Sequence, residues 1–280
     1  MSSMSCLSAF ARRLAALPQP GSVALNIASN GIARLTLQNA SRRNALSGPM
    51  MAQFAERVDE LSENKDAWAV ILSGDGGHFC AGADLDLALE HITTATDAEL
   101  MSQLMTSTLN KLRSLPLLSI SAIDGNAVGG GAEVCTATDW RVMGAKARVQ
   151  FVQTRMGAST GWGGAARLSE IVGNRSTALS LLLHQPRIDA NAAVACRLAD
   201  AVAAEGEPAA AEAERLLLNA YECAATPNAI KAIKTAVAAA TPIGRSIEHA
   251  ETEAFATTWG APANREALAK AAATIQSAKK

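Results

Sequence analysis

The chain has little excess charge of either sign: 25 Lys and Arg stand against 26 Asp and Glu in 280 residues, a net charge of −1. A protein that tracks a nucleic-acid backbone or an anionic membrane surface carries a basic excess, so neither partner is expected, although a small basic pocket for a phosphorylated cofactor would be hidden in the total. Long apolar runs are missing as well, and none approaches the ~20 residues of a membrane span. Cysteine is sparse and scattered: Cys6, Cys80, Cys135, Cys196 and Cys223 form no CxxC pair and no Cys/His cluster of metal-ligand spacing. That pattern predicts reduced thiols and no metal. His78, His91, His184 and His249 show no mutual spacing for a metal either. Between Met1 and Ala55 there is no acidic residue, and LSAFARRLAAL puts Arg12 and Arg13 on an amphipathic helix. A mitochondrial presequence has this character. The reading adopted is an ordinary first helix ending at Pro18, in a cytoplasmic protein.

What is present is apolar content, 49% of residues, enough for one large domain or one domain with a helical appendage. Residues 1–22 read as a helix and lead-in, 23–200 as an α/β core and 201–280 as a helical region. From Val23 to Leu37 the pattern alternates, VALNI, a turn at SNG, then IARLTL, which predicts an antiparallel hairpin. After RRNALSGPMM, Met50, Phe54, Val58 and Leu61 recur at helical spacing behind the start signals Ser47 and Pro49. A buried strand, WAVILS, ends in the glycine-rich turn GDGGHFCAGAD, and a helix over about Asp97 to Leu115 presents Leu100, Leu104 and Leu112. Beyond a short strand, RVMG, and a loop from Ala147 to Gly164, nearly everything reads as helix: 164–172, 174–183, 189–196, 207–224, 228–239, 243–258 and 263–278. Alanine dominates the last hundred residues, as good helix propensity requires.

The stretch that organises the chain is Leu117 to Arg141, LLSISAIDGNAVGGGAEVCTATDWR. An apolar strand gives way to Gly129, Gly130 and Gly131 and then to a helix. Glycines at such a junction let the backbone approach a ligand, and the first helical turn has N–H groups with no intrahelical acceptor. Such a junction binds negative charge, including charge present only in a transition state. Two other patterns carry less. GASTG at 157–161 fits a nucleophile elbow, yet the preceding FVQTRM carries Gln153 and Arg155 where an elbow needs a buried strand. GWGGAA at 161–166 fits G-x-G-x-x-A, but no strand precedes it.

Two glycine turns, FCAGADL at 79–85 and GNAVGGGAE at 125–133, each follow a buried strand. With NGIARLTLQN and RRNALS they make the chain similar to the crotonase (enoyl-CoA hydratase/isomerase) superfamily from about Val23 to its end. The resemblance implies a crotonase-like α/β fold, a spiral of ββα units with a C-terminal helical trimerisation region, and homotrimers or hexamers. It implies an acyl-CoA substrate with no separate cofactor, coenzyme A being part of the substrate. It implies an oxyanion hole formed by the N–H groups of Ala83 and Gly130. CoA contacts are implied at Asn44, Ala45, Ala81, Ala83, Asp84 and Leu85.

Within that superfamily, hydratases hold a water between two glutamates. The first matches Glu133, while the second position falls at Gln153, whose amide exchanges no proton near neutral pH. GGGAEVCTATDWRVM, FVQTRMG, WGGAARLSEIVGNR with Trp162, and TTWGAPANREALAK with Trp259 resemble the decarboxylating members, which act on short branched malonyl-CoA thioesters such as ethylmalonyl-CoA and methylmalonyl-CoA. The chain departs from them at Ser159, Thr160 and Gly161, where Ile-Pro is expected ahead of Ser-Trp, so the acyl-pocket wall differs. The catalytic set implied is Ala83, Gly130, Glu133, Gln153 and Trp162. A crotonase-type hydratase/isomerase using Glu133 and a non-catalytic acyl-CoA-binding protein are the alternatives.

Overall fold

The structure is a computed structural model that describes residues 3–224, 226–240, 252 and 255–277. Helix α1 (Ser3–Ala15) precedes a hairpin of β1 (Ser22–Ile27) and β2 (Ile32–Gln38), paired antiparallel with Val23 opposite Leu37. The helix α2 (Gly48–Glu63) starts where the sequence signals put it: Ser47 is the N-cap and accepts from the Met50 N–H, and Met50, Phe54, Val58 and Leu61 are buried. Strand β3 (Ala69–Gly74), helices α3 (Leu85–Glu90) and α4 (Ala95–Ser114), and strand β4 (Leu118–Ile123) follow. Next come β5 (Asn126–Val128), α5 (Gly130–Cys135), β6 (Trp140–Met143) and β7 (Arg148–Gln150). The rest comprises α6 (Gly164–Val172), α7 (Arg175–His184), β8 (Ile188–Asp189), α8 (Ala190–Ala195), β9 (Ala201–Val202), α9 (Ala209–Ala224), α10 (Pro227–Ala240) and α11 (Pro262–Ser277).

Six strands form one sheet in the order β1-β2-β3-β4-β6-β9, parallel from β2 onward, and β5-β7-β8 form a second. Isolated bridges from Leu46 to Ala83 and from Cys80 to Ala127 continue the second sheet towards the first turns of the chain. Each turn of the spiral thus lays one long strand in the first sheet, one short extended piece in the second, and then a helix.

The first sheet is buried on both faces, which explains why β3 and β4 read as continuous apolar runs rather than alternating ones. Val70 and Leu72 point into the main core with Phe54, Phe79 and Met105, whereas Ala69, Ile71, Ile120 and Val142 meet Ala209, Ala213 and Leu217 of α9 on the other face. The C-terminal helical region is therefore packed on the core. Helix α1 also belongs to it: Phe10 and Leu14 are in the main cluster, and Arg13 lies 4.9 Å over the Phe10 ring and pairs with Asp97. Its amphipathic, acid-poor pattern is met by this packing.

Several short elements differ from the sequence reading. The stretch read as a loop from 147 to 164 contains β7 and a 3-10 turn at Thr154–Met156, and β8 and β9 interrupt the region read as helical. Two or three residues give no measurable periodicity, and these pieces are specified by ladder partners remote in sequence. The helix read at 243–258 lies mostly outside the described residues. No helix among the described residues is long and apolar enough to cross a membrane.

Cys80 and Cys135 are fully enclosed in the core, and burial pushes both thiols from 9.0 up to about 12. Around pH 9 the unfolded chain loses these protons while the folded chain keeps them, so stability falls as pH rises between about 9 and 12, by up to ~1.4 kcal/mol per pH unit per thiol. Urea unfolding at pH 8 and pH 10 measures the drop. The Cys80→Ala/Cys135→Ala variant should show a shallower loss; an equally steep one contradicts this assignment.

Candidate active site

The two glycine turns meet because β3 and β4 are parallel neighbours whose ends lie side by side. After β3 the chain passes Cys80, whose N–H donates to Asn126 O at 3.1 Å, while Val128 N–H donates to Cys80 O at 2.9 Å. The turn then reaches Gly82 with φ +94°, a conformation favouring glycine. A Cβ at position 82 would lie 3.0 Å from Val128 O and 3.1 Å from Gly130 N, so the second turn leaves no room for a side chain.

This packing aims two donors. Leu46 N–H donates to Gly82 O at 2.7 Å and Asp84 N–H to Leu46 O at 2.9 Å. In that parallel bridge the Ala83 N–H between them points the other way. Gly130 opens α5 behind Gly129 (φ 56°), and as the first residue of the helix its N–H is free of the intrahelical ladder. Among the described residues, neither the Ala83 nor the Gly130 N–H has a protein acceptor. A pair of fixed backbone donors of this kind can stabilise an oxyanion.

One helical step on, Glu133 is 2% exposed, and its carboxylate is surrounded by donors. Gln153 Nε2 donates to Oε1 at 2.8 Å and the Gly161 N–H to Oε1 at 3.4 Å, while the N–H groups of Trp162 and Gly164 donate to Oε2 at 2.8 and 3.0 Å. Only an ionised carboxylate is purely an acceptor, so this donor set fits the charged form. Gly163 precedes α6 without a side chain to cap it, and Glu133 supplies the cap from α5. The glycine at 164 is required here: a Cβ would fall 2.4 Å from Glu133 Cγ.

Trp162 is buried with its indole on Gly130, where a Cβ would meet ring carbon Cζ3 at 2.3 Å. The aromatic face thus lies against the donor turn. Gly161 makes similar room for the Phe255 ring, and its carbonyl accepts from Ser102 Oγ at 2.5 Å and Thr106 Oγ1 at 3.3 Å. Phe255 stacks with Trp259 at 5.0 Å, so the C-terminal segment closes over the 156–162 loop. That loop has no strand-to-helix elbow; the Ser159 N–H donates to Thr258 Oγ1.

Of the residues implied as CoA contacts, all six lie on two adjoining segments, tied by the Ala81 N–H donating to Arg43 O at 3.0 Å and by the Leu46 bridge. Two have side chains committed to the fold. Asn44 is fully buried, accepting from Asn39 N–H and donating to the carbonyls of Asp75 and His78. Asp84 caps α3 and pairs with Arg42 at 2.8 Å. Ala45 and Ala81 also have backbone groups engaged internally, the Ala45 N–H with Arg42 O and the Ala81 N–H with Arg43 O. Sequence reasoning missed Arg167, which is wholly buried and donates to Thr136 Oγ1, Asn110 Oδ1, Glu133 O and Trp162 O. Arg167 stands between Ala166 and Leu168 in GGAARLSEIV, and that is the available signal, a weak one.

Comparison with known proteins agrees with this architecture. The family model for enoyl-CoA hydratase/isomerase matches residues 27–268. Ethylmalonyl-CoA decarboxylase of Gallus gallus is 39% identical over 253 residues, covering 89% of this chain and 84% of its own, and that of Danio rerio is 41% identical over 258 residues, covering 89% and 83%. An enoyl-CoA hydratase from Mycobacterium avium subsp. paratuberculosis superposes with a TM-score of 0.76 over 90% of this chain and 100% of its own, at 21% identity. A Thermobifida fusca protein solved in complex with acetoacetyl-CoA superposes with a TM-score of 0.67 over 84% and 93%, at 26% identity. The glycine-turn donor pair, the spiral of strands and these likenesses agree, and the chain belongs to the enoyl-CoA hydratase/isomerase (crotonase) superfamily.

Proposed function

We propose that the chain is a carboxy-lyase of this superfamily, an acyl-CoA decarboxylase that removes CO2 from short branched malonyl-CoA thioesters such as ethylmalonyl-CoA and methylmalonyl-CoA. The observation that carries this reading is the Glu133–Gln153 pair. An amide donates to the carboxylate at 2.8 Å at the position where hydration needs a second acid, and an amide at 153 cannot share with Glu133 the activation of a water held between two acids. The relatives named ethylmalonyl-CoA decarboxylase support the same reaction class.

Loss of CO2 from a malonyl thioester needs no base. It needs the breaking C–C bond held across the carbonyl π-system, the resulting enolate stabilised, and the substrate carboxylate desolvated. In this reading the Ala83 and Gly130 N–H groups hold the thioester oxygen, and each such donor contributes a factor of ~10²–10³, about 3 kcal/mol. Trp162, lying against Gly130, keeps water from the acyl group. Glu133 anchors the loop that carries Trp162. Coenzyme A enters as part of the substrate along the 43–46 and 81–85 segments. Trimers or hexamers are proposed as the assembly, supported by apolar side chains left in solvent on α10, Ile233 at 68% and Val237 at 63% exposed.

Two measurements test these readings. Mass spectrometry of the pure protein with ethylmalonyl-, methylmalonyl- and crotonyl-CoA should show butyryl- and propionyl-CoA forming while crotonyl-CoA is hydrated poorly; efficient hydration with no CO2 release would sink the decarboxylase reading. Light scattering at micromolar concentration should return three or six times the 28.9 kDa chain mass, and a monomeric mass refutes the assembly.

A further inference from the structure

We propose that Phe255 is a specificity-determining residue: its packing on Gly161 sets how far the Trp162 wall can yield, and so how large a branch the acyl pocket accepts. The assignment rests on the decarboxylase reading and adds to it a residue that selects among substrates without touching the breaking bond.

The peptide group between Gly161 and Trp162 is held at both ends. Its carbonyl accepts from Ser102 Oγ and Thr106 Oγ1 of α4, and its N–H donates to Glu133 Oε2. From that fixed peptide the indole of Trp162 reaches onto Gly130, the second oxyanion donor. Phe255 covers Gly161 itself: a Cβ at 161 would lie 2.2 Å from ring carbon Cδ2 and 2.4 Å from Cγ. The ring thus occupies the place a side chain at 161 would take. It is buried and backed by Trp259 at 5.0 Å, and Trp259 Nε1 donates to Ile92 O at 3.1 Å, just beyond α3. The rest of the loop is tied to the same C-terminal segment. Ser159 N–H donates to Thr258 Oγ1 at 2.9 Å, Asn264 Nδ2 donates to Met156 O at 2.6 Å, and a Cβ at 157 would meet Asn264 N at 2.9 Å.

A malonyl thioester whose oxygen lies on the Ala83 and Gly130 donors projects its branch from the adjacent carbon, next to the donor turn, where Trp162 stands. A close-packed ring behind Gly161 makes that wall stiff. Taking atoms from the ring leaves space that Gly161 and Trp162 can settle into, and a wall that yields admits a larger branch. An atom added at 161 crowds the ring and does the opposite. Discrimination of this kind is measurable, since one methylene in an apolar pocket is worth roughly tenfold or more in relative rate.

The experiment compares kcat/KM for methylmalonyl-, ethylmalonyl- and propylmalonyl-CoA in the parent, Phe255→Leu and Phe255→Met. Both variants should raise the propylmalonyl-to-methylmalonyl ratio by about tenfold. A general loss of packing would lower all three substrates together, so the ratio separates a pocket wall from a merely structural part. Gly161→Ala should move the ratio the other way, and Phe255→Leu in the same chain should bring it back, the coupling expected of groups in contact. An unchanged ratio in the Phe255 variants overturns the role given to the ring, as do additive effects at 161 and 255. Failure of both Phe255 variants to fold, by circular dichroism, overturns it too, because the ring is then needed for the fold itself. A parent that releases no CO2 from any of the three overturns the decarboxylase reading instead.

Discussion

At position 131 a side chain would begin 2.1 Å from the carbonyl oxygen of Cys80, and that distance is the constraint behind the site. The chain after β3 and the chain after β4 run so close that backbone lies on backbone, and only hydrogen can occupy the space between them. The parallel pairing of β3 with β4 fixes the separation, and the bridge between Cys80 and Ala127 fixes the register. With the turns locked this way, the Ala83 and Gly130 donors need no reorganisation when charge appears on a bound oxygen, which is the source of the catalytic effect proposed for them.

The second half of the site is built on a charge. Glu133 is on α5, yet its carboxylate organises residues 161–164, which are remote in sequence, and Arg167 closes the arrangement from α6 by donating to the carbonyls of Glu133 and Trp162. A buried carboxylate and a buried guanidinium thus meet through the backbone of Trp162, and the guanidinium also donates to the neutral side chains of Thr136 and Asn110. Such a network is stable only when nearly every member is satisfied, and it holds Trp162 against Gly130.

Much of this was legible in the sequence because local chemistry and tertiary structure agree there. Ser47 caps α2, the Met50, Phe54, Val58 and Leu61 stripe is buried, and GGGAE begins a helix at a strand end. Glu133 and Gln153 were identified as a pair, and they do touch. What was illegible depends on partners far along the chain. Strands β5, β7, β8 and β9 are too short to show a period. Arg167 looks like any helical arginine until its acceptors are brought round it. Asn44 and Asp84 sit on the expected segments, but only the fold reveals that their side chains are engaged internally. The room that Gly161 makes for Phe255 belongs to this group as well, since those residues are nearly a hundred positions apart.

The central claim is that two backbone N–H groups, held by glycine turns, polarise a thioester carbonyl. Isotope-edited infrared spectroscopy of butyryl-CoA carrying 13C at its carbonyl measures this directly. If the Ala83 and Gly130 donors act on the bound thioester, the labelled stretch moves to lower frequency on binding than in free solution. A bound carbonyl that absorbs where the free one does, with the ligand demonstrably in place, contradicts the account.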